Sequence, residues 1–272
     1  MTSAPGRNLT QAVVTALVLL ALMLGAVAGG PTAFFWLAAL VVSLAGLELF
    51  IALRDEGKRT VTFMGPLGVF ALMSAAYFRP RELGYLVAAG AVLVALTFIL
   101  TLRPNRGPAP ATDIAWSVLG IFWIGGGGAG AVSMLTLPDG VVILLAHVLT
   151  TAADDIGAFF AGTALGRHKM APSISPAKSW EGFVGGFIAA LIVGAGFGTF
   201  TDALGTTHGL AIGAIIGFLA PAGDLAESLV KRELGIKDSG RMLPGHGGML
   251  DRLDAILFGA PLVFLYLHFA VL

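Results

Sequence analysis

Nine stretches of this chain run for about twenty residues with almost no charge, near 9–30, 32–53, 60–78, 83–102, 113–136, 140–163, 180–200, 208–230 and 252–272. Roughly 20 apolar residues in helical form cross about 30 Å of hydrocarbon. Within a bilayer only helices and closed barrels satisfy their own backbone polar groups, and continuous runs of this length predict helices. The breaks are short and polar, or marked by glycine and proline as at Gly29-Gly30-Pro31, so no loop leaves room for a separate soluble domain. The expected fold is all-α, a polytopic membrane helical bundle of about nine transmembrane helices. Composition agrees: 57% of the 272 residues are hydrophobic and 12% charged, against about a quarter charged in a typical soluble domain. The first run is longer than the apolar core of a secretion signal and is preceded only by Arg7, so it is read as a retained helix. There is no cysteine, which excludes disulfides, zinc–thiolate sites and thiol nucleophiles.

With nine spans and an inward amino terminus, 14 of the 16 Lys and Arg lie on the inner side, and only Arg79 and Arg81 lie outside. Such a bias marks the cytoplasmic face. It predicts a cytoplasmic amino terminus, and the expected location is a bacterial inner membrane. Two regions are expected, N-terminal transmembrane helices over 1–110 and a C-terminal catalytic region over 111–272. The run Gly125 to Gly128 lies inside a span and lacks the Lys and Ser/Thr of a phosphate loop. It is read as close helix packing or a helix break.

Charge is concentrated where it is costly. The stretch Glu227 to Asp254 holds 10 of the 32 charged side chains in 28 residues. On a helix Asp224, Glu227, Ser228 and Lys231 fall at i, i+3, i+4 and i+7, on one face. Asp251 and Asp254 are likewise i, i+3 in the ninth span, with Arg252 between them pointing elsewhere. Between the two helices lie Lys237, Asp238 and the turn PGHGG. Pro244, Gly245, Gly247 and Gly248 leave little bulk around His246, so a ligand would touch backbone there. A second cluster, Lys178, Ser179 and Glu181, stands at the mouth of the seventh span. A helix start offers free N–H groups to phosphate oxygens, and Ser179 also fits as an N-cap. The third cluster, Asp154-Asp155, lies within the sixth span, where each acid costs about 3 kcal/mol on insertion scales. In a soluble protein such charges would read as a salt-bridged surface loop. Here charge is rationed and the acids begin inside spans. Carboxylates among Lys and Arg suit a metal–polyphosphate, the acids holding a hard cation and the cations neutralising phosphate charge.

The pattern S-L-V-K-R-x4-K-D-x-G-x2-L-P-x-H-G-G-M-x-D-R-L-D, from Ser228 to Asp254, resembles the signature of the phosphatidate cytidylyltransferases, also called CDP-diacylglycerol synthases. GDLAES (223–228), DIGAFFAG (155–162) and APSISPAKSWEG (171–182) resemble further family segments in the same order. The resemblance is specific across about 155–258. It implies transfer of a cytidylyl group from CTP to phosphatidate, giving CDP-diacylglycerol and pyrophosphate in phospholipid biosynthesis. It also implies Mg²⁺, with room for a second cation, on Asp224 and Asp251 as principal ligands and on Asp254, Glu227 and Asp155 as further ligands or supporting groups. Lys231, Lys178, Arg232 and Lys237 would hold phosphates, Ser228 and Ser179 would donate hydrogen bonds, and the HGG turn would shape the nucleotide pocket. Glu181, Asp238 and Arg252 complete the expected substrate-binding set. The family pattern places cations where Thr163 and Ser173 stand; Arg167 and His168 are the nearby substitutes. Membrane lipid is the expected surrounding and nucleic acid is not a partner. A homodimer is allowed, though nothing in the sequence requires one. Two other readings fit parts of the pattern. One is a CTP-dependent transferase acting on an ether or prenyl lipid phosphate. The other is a cation-coupled transporter, which would call for internal repeats and midplane acids that the sequence does not display.

Overall fold

The computed structural model describes residues 9–80, 83–101, 110–240, 242–243 and 247–271. Among them the chain forms nine helices: α1 (Leu9–Ala28), α2 (Gly30–Asp55), α3 (Met64–Phe78), α4 (Leu83–Thr101), α5 (Pro110–Met134), α6 (Gly140–Leu165), α7 (Trp180–Phe200), α8 (Thr206–Glu233) and α9 (Leu250–Ala270). The one regular departure from an all-α bundle is a two-stranded antiparallel hairpin between α6 and α7, β1 (Lys169–Ala171) and β2 (Ser175–Ser179). Six helices, α2 and α5 to α9, are long and apolar enough to cross a membrane, and the described stretches Val13–Ala28, Met64–Phe78 and Val87–Thr97 are shorter apolar helices.

The expected third span began near residue 60, but α3 begins at Met64. Gly57 ends α2 in a left-handed conformation (φ 78°), and the segment after it docks sideways on α5. There the Arg59 N–H donates to Asp113 Oδ1 at 3.0 Å and the Val61 N–H to Ser117 Oγ at 3.4 Å. Those amides are satisfied by side chains instead of by another helical turn. The helix that remains, 15 residues, is about 22 Å long at 1.5 Å per residue.

The core lies along α2, α3, α5, α6, α8 and α9, with Phe35, Met73, Ile124, Ile212, Leu250 and Leu257 among its fully buried side chains. Glycine lets these rods approach. A methyl at Gly130 would sit 2.6 Å from the Pro261 nitrogen, and one at Gly127 would sit 2.7 Å from Leu257 Cβ. Gly125 and Gly128 of the run face α3 and α2 while Gly127 faces α9, so the run packs α5 on several neighbours, and α5 passes through it unbroken. Outward-facing Val184, Ile188 and Ile192 on α7 stay exposed, as expected of side chains that face hydrocarbon instead of water.

Hydrogen bonds collect the polar clusters at one end of the bundle. The α2–α3 turn meets the start of α5, Glu48 near the end of α2 meets the start of α9, and the hairpin meets the end of α8.

Candidate active site

At that end a cleft of about 590 Å³ opens between α6, the hairpin, α7 and α8. Its lining joins Asp154, Asp155, Lys178 and Asp224 with Phe159, Met170 and Phe183. Lys178 reaches across from β2, forms an ion pair with Asp224 of α8 and donates to the Pro221 carbonyl at 3.3 Å. Asp224 also lies close to Asp254 of α9. Three helices thus bring carboxylates together: α6, α8 and α9.

Two oxygens of this set, Asp154 Oδ1 and Asp254 Oδ2, are buried without a hydrogen-bond partner. Their residues are 1% and 4% exposed. A buried polar oxygen left unpaired costs on the order of 2–7 kcal/mol, so the arrangement favours a positive partner. Its all-oxygen donors fit a hard divalent ion. Among the described residues no three acidic or histidine side chains converge into a compact ligand shell.

Beside the cleft lies a second network. Lys231 donates to Glu227 Oε2 at 2.7 Å and to Asp251 Oδ1 at 3.0 Å. Ser239 Oγ donates to Glu227 Oε1 at 2.8 Å. The Ser239 N–H reaches both oxygens of Asp251, at 3.2 and 3.3 Å, and the Gly248 N–H reaches Oδ2 at 3.0 Å. All four oxygens of Glu227 and Asp251 are therefore engaged. The face shared by Asp224, Glu227 and Lys231 divides its partners, Asp224 turning to Lys178 while Glu227 and Lys231 turn to Asp251.

The segment after α6 forms the hairpin, and Glu181 closes it. The Arg167 and His168 N–H groups donate to Glu181 Oε2 at 3.1 and 3.2 Å, and His168 Nδ1 lies 2.6 Å from Oε1. Ser179 caps α7, its Oγ accepting the Gly182 N–H at 3.2 Å. Arg232 Nε donates to the Ile174 carbonyl at 3.3 Å and ties the end of α8 to the hairpin turn. Ser228 is half-buried on α8, and Lys237 and Asp238 are exposed beyond it. Arg252, exposed on α9, lies within electrostatic reach of Asp155. Gly247 takes a left-handed conformation (φ 88°) and closes a bridge with Leu243, while Gly248 is buried. His246, with Pro244 and Gly245, lies outside the described residues. Thr163 and Lys169 both line the cleft, so a cation does stand there, two residues beyond Arg167.

Two contributors were missed by sequence reasoning. Asp154 was seen only as half of an acidic pair, yet it is the buried member while Asp155 is exposed. Glu48, 3% exposed, accepts the Met242 N–H at 3.2 Å and the Leu250 N–H at 3.1 Å. Its one signal was a lone acid in the apolar run LAGLELFIAL.

The chain is similar to known proteins. The chain is 31% identical over 270 residues to a phosphatidate cytidylyltransferase of Mycobacterium bovis, covering 94% of this chain and 87% of that protein. It is 38% identical over 191 residues to a phosphatidate cytidylyltransferase of Brucella suis, covering 68% and 64%. To the Escherichia coli protein named "Uncharacterized protein YnbB" it is 32% identical over 191 residues, covering 68% of this chain and 63% of that protein. The chain thus spans just under two thirds of the Escherichia coli and Brucella relatives. The model of the cytidylyltransferase family matches residues 10–270, which takes in the cleft, both acid–lysine networks and Glu48. The chain belongs to the cytidylyltransferase family.

Proposed function

We propose that this chain is an integral membrane nucleotidyltransferase that joins CTP and phosphatidate into CDP-diacylglycerol and pyrophosphate. The observation that carries the reading is the cleft itself. Its lining combines acid–lysine chemistry fit for phosphates with apolar side chains, among them the largely exposed Phe159. A lipid phosphate with its acyl chains needs both.

In the reaction an anionic oxygen of the lipid phosphate attacks the α-phosphorus of CTP. The new P–O bond forms as the bond from that phosphorus to the β-phosphate bridging oxygen breaks, and pyrophosphate leaves with the electron pair. The nucleophile is already ionised, so no general base is required. What the protein must supply is alignment and neutralisation of charge. Lys178 and Lys231 are placed to hold phosphate oxygens, each pre-oriented by carboxylates. Arg232, Lys237 and Arg252 form an outer ring of cations. Ser179 and Ser228 offer hydroxyls, and the His246-Gly247-Gly248 turn offers backbone to the nucleotide. A divalent cation, Mg²⁺ by its preference for carboxylates and phosphate oxygens, would rest on Asp224 and Asp254 with Asp155 and Asp154 nearby, and when bound supplies further neutralisation of phosphate charge. Asp251 and Glu227 join this site through Lys231.

The catalytic groups belong to 111–272, while 1–110 completes the bundle and contributes Glu48. Nine spans with the amino terminus inside put all these clusters on the cytoplasmic side of a bacterial inner membrane, where CTP is available and phosphatidate enters from the inner leaflet. All the groups named come from one chain, so the reading needs no second copy.

Purified protein given labelled CTP and phosphatidate, with and without Mg²⁺, tests this. Labelled CDP-lipid and one pyrophosphate per turnover are expected only with the metal. Absence of any CDP-lipid would end the proposal. Equal turnover of an ether or prenyl lipid phosphate would move the substrate assignment to that class.

A further inference from the structure

The proposed site rests on a carboxylate nearly two hundred residues upstream of it. Glu48 lies in the inner part of α2, where a buried acid is costly, and its compensation comes from backbone. Oε1 accepts the Met242 N–H and Oε2 the Leu250 N–H. Those two amides are the feet of the loop that Leu243 and Gly247 close by reciprocal hydrogen bonds of 3.0 and 3.2 Å. One carboxylate therefore grips both ends of the loop. Leu250 opens α9, so the same anion also satisfies a free N–H at a helix start and complements the positive end of its dipole.

The fit around Glu48 is tight. A methyl at Gly248 would lie 2.8 Å from Glu48 Oε2 and 2.7 Å from Asp251 Oδ2, and one at Gly240 would overlap the Glu48 carboxylate. Asp251 is oriented by neighbouring amides, those of Ser239 and Gly248, three and two residues before the feet that Glu48 holds. Asp251 in turn orients Lys231. A chain of contacts runs from α2 through the loop to a phosphate-holding ammonium.

We infer that Glu48 is a positioning residue for the nucleotide side of the transfer, fixing Met242 and the start of α9 at Leu250 and, through Asp251, the place of Lys231. This rests on the function proposed above. The apolar side chains of the cleft, Phe159 and Phe183, belong to α6 and α7 and make no contact with Glu48's hydrogen-bonding partners among the bonds described. The effect should therefore fall on CTP and not on phosphatidate.

Glu48→Gln keeps the volume but aims an amide N–H₂ at a backbone N–H. A misplacement of about 1 Å can cost on the order of 10²-fold in rate, so kcat/KM for CTP is expected to fall by roughly 10- to 100-fold, with KM for phosphatidate within about twofold of wild type. Glu48→Asp keeps the charge and should recover part of the loss. Gly240→Ala, which crowds the carboxylate from the loop side, should reproduce the selective loss with Glu48 intact. It also serves if Glu48→Gln does not accumulate. Hydrogen exchange gives a readout independent of turnover: the Met242 and Leu250 amides should lose protection in Glu48→Gln while α6 and α7 keep theirs. Wild-type CTP kinetics in Glu48→Gln, or an equal loss toward both substrates that tracks the amount of folded protein, would overturn the inference. A wild-type chain unable to use CTP would instead overturn the function beneath it, and the two failures are told apart by the wild-type assay alone.

Discussion

Lys178 of the hairpin is ion-paired with Asp224 of α8, and the same ammonium donates to the carbonyl of Pro221 one turn earlier. The hairpin is thereby latched onto α8 at the proline inside that helix, and the latch lines the cleft. If this pair is the heart of the site, Asp224→Asn should lower CDP-lipid formation by about 10²–10³-fold, the loss typical of removing one transition-state-stabilising group. Lys178→Arg should retain more activity than Lys178→Met. Rates measured at saturating CTP and phosphatidate on equal amounts of folded protein check both.

Lys231 is the single cation bonded to both Glu227 and Asp251. Lys231→Met leaves two poorly exposed carboxylates without it. Removing one partner of such a buried arrangement costs about 3–5 kcal/mol, and a correspondingly lower melting temperature in detergent is expected. The double variant Lys231→Met with Glu227→Gln should regain part of the stability and none of the activity. Recovery of both together would mean that Lys231 serves the fold alone.

Chelation of divalent ions should stop turnover, and added Mg²⁺ should restore it. Asp254→Asn should raise the Mg²⁺ concentration needed for half-maximal rate by at least about tenfold, because second-sphere and ligand changes commonly cost 10–100-fold in metal affinity. A titration of rate against free Mg²⁺ decides this.

Gly130 touches the backbone of α9 so closely that a methyl would lie 2.6–2.7 Å from the Pro261 nitrogen and Cα. Gly130→Ala should cost about 1–3 kcal/mol through overpacking while the folded fraction keeps its kcat. Thermal unfolding beside specific activity separates the two effects.

Because the chain has no cysteine, single cysteines report on topology without background. Glu233→Cys at the site end of the bundle should label with a membrane-impermeant reagent only in inside-out vesicles. Asp202→Cys, between α7 and α8 at the other end, should label only in right-side-out vesicles. Labelling of both from one side would refute the proposed orientation.

Much of the site was legible because its signals are local. Asp251 and Asp254, Glu227 and Lys231, and Ser179 at a helix start are all short-range patterns, and the structure does bring Glu227, Lys231 and Asp251 into one network. The hairpin was not legible. Nothing in the local sequence reveals that Glu181 would gather the Arg167 and His168 amides. Glu48 was hidden for a different reason: its partners are backbone groups, which carry no signature in the side-chain sequence.

What the chain's sequence determined alone is that it lives among hydrocarbon in helices, that its charge is gathered into three clusters, and which family signature those clusters spell. Transfer of a helix into a bilayer is a sum over its own residues, so it can be read without knowing any neighbour. Tertiary structure decided which acid meets which cation. Whether Asp224 finds Lys178 or Lys231, and whether Glu48 finds the start of α9, depends on the rotation and crossing of rods packed at glycine contacts. Those are properties of pairs distant in the chain, and no single segment contains them.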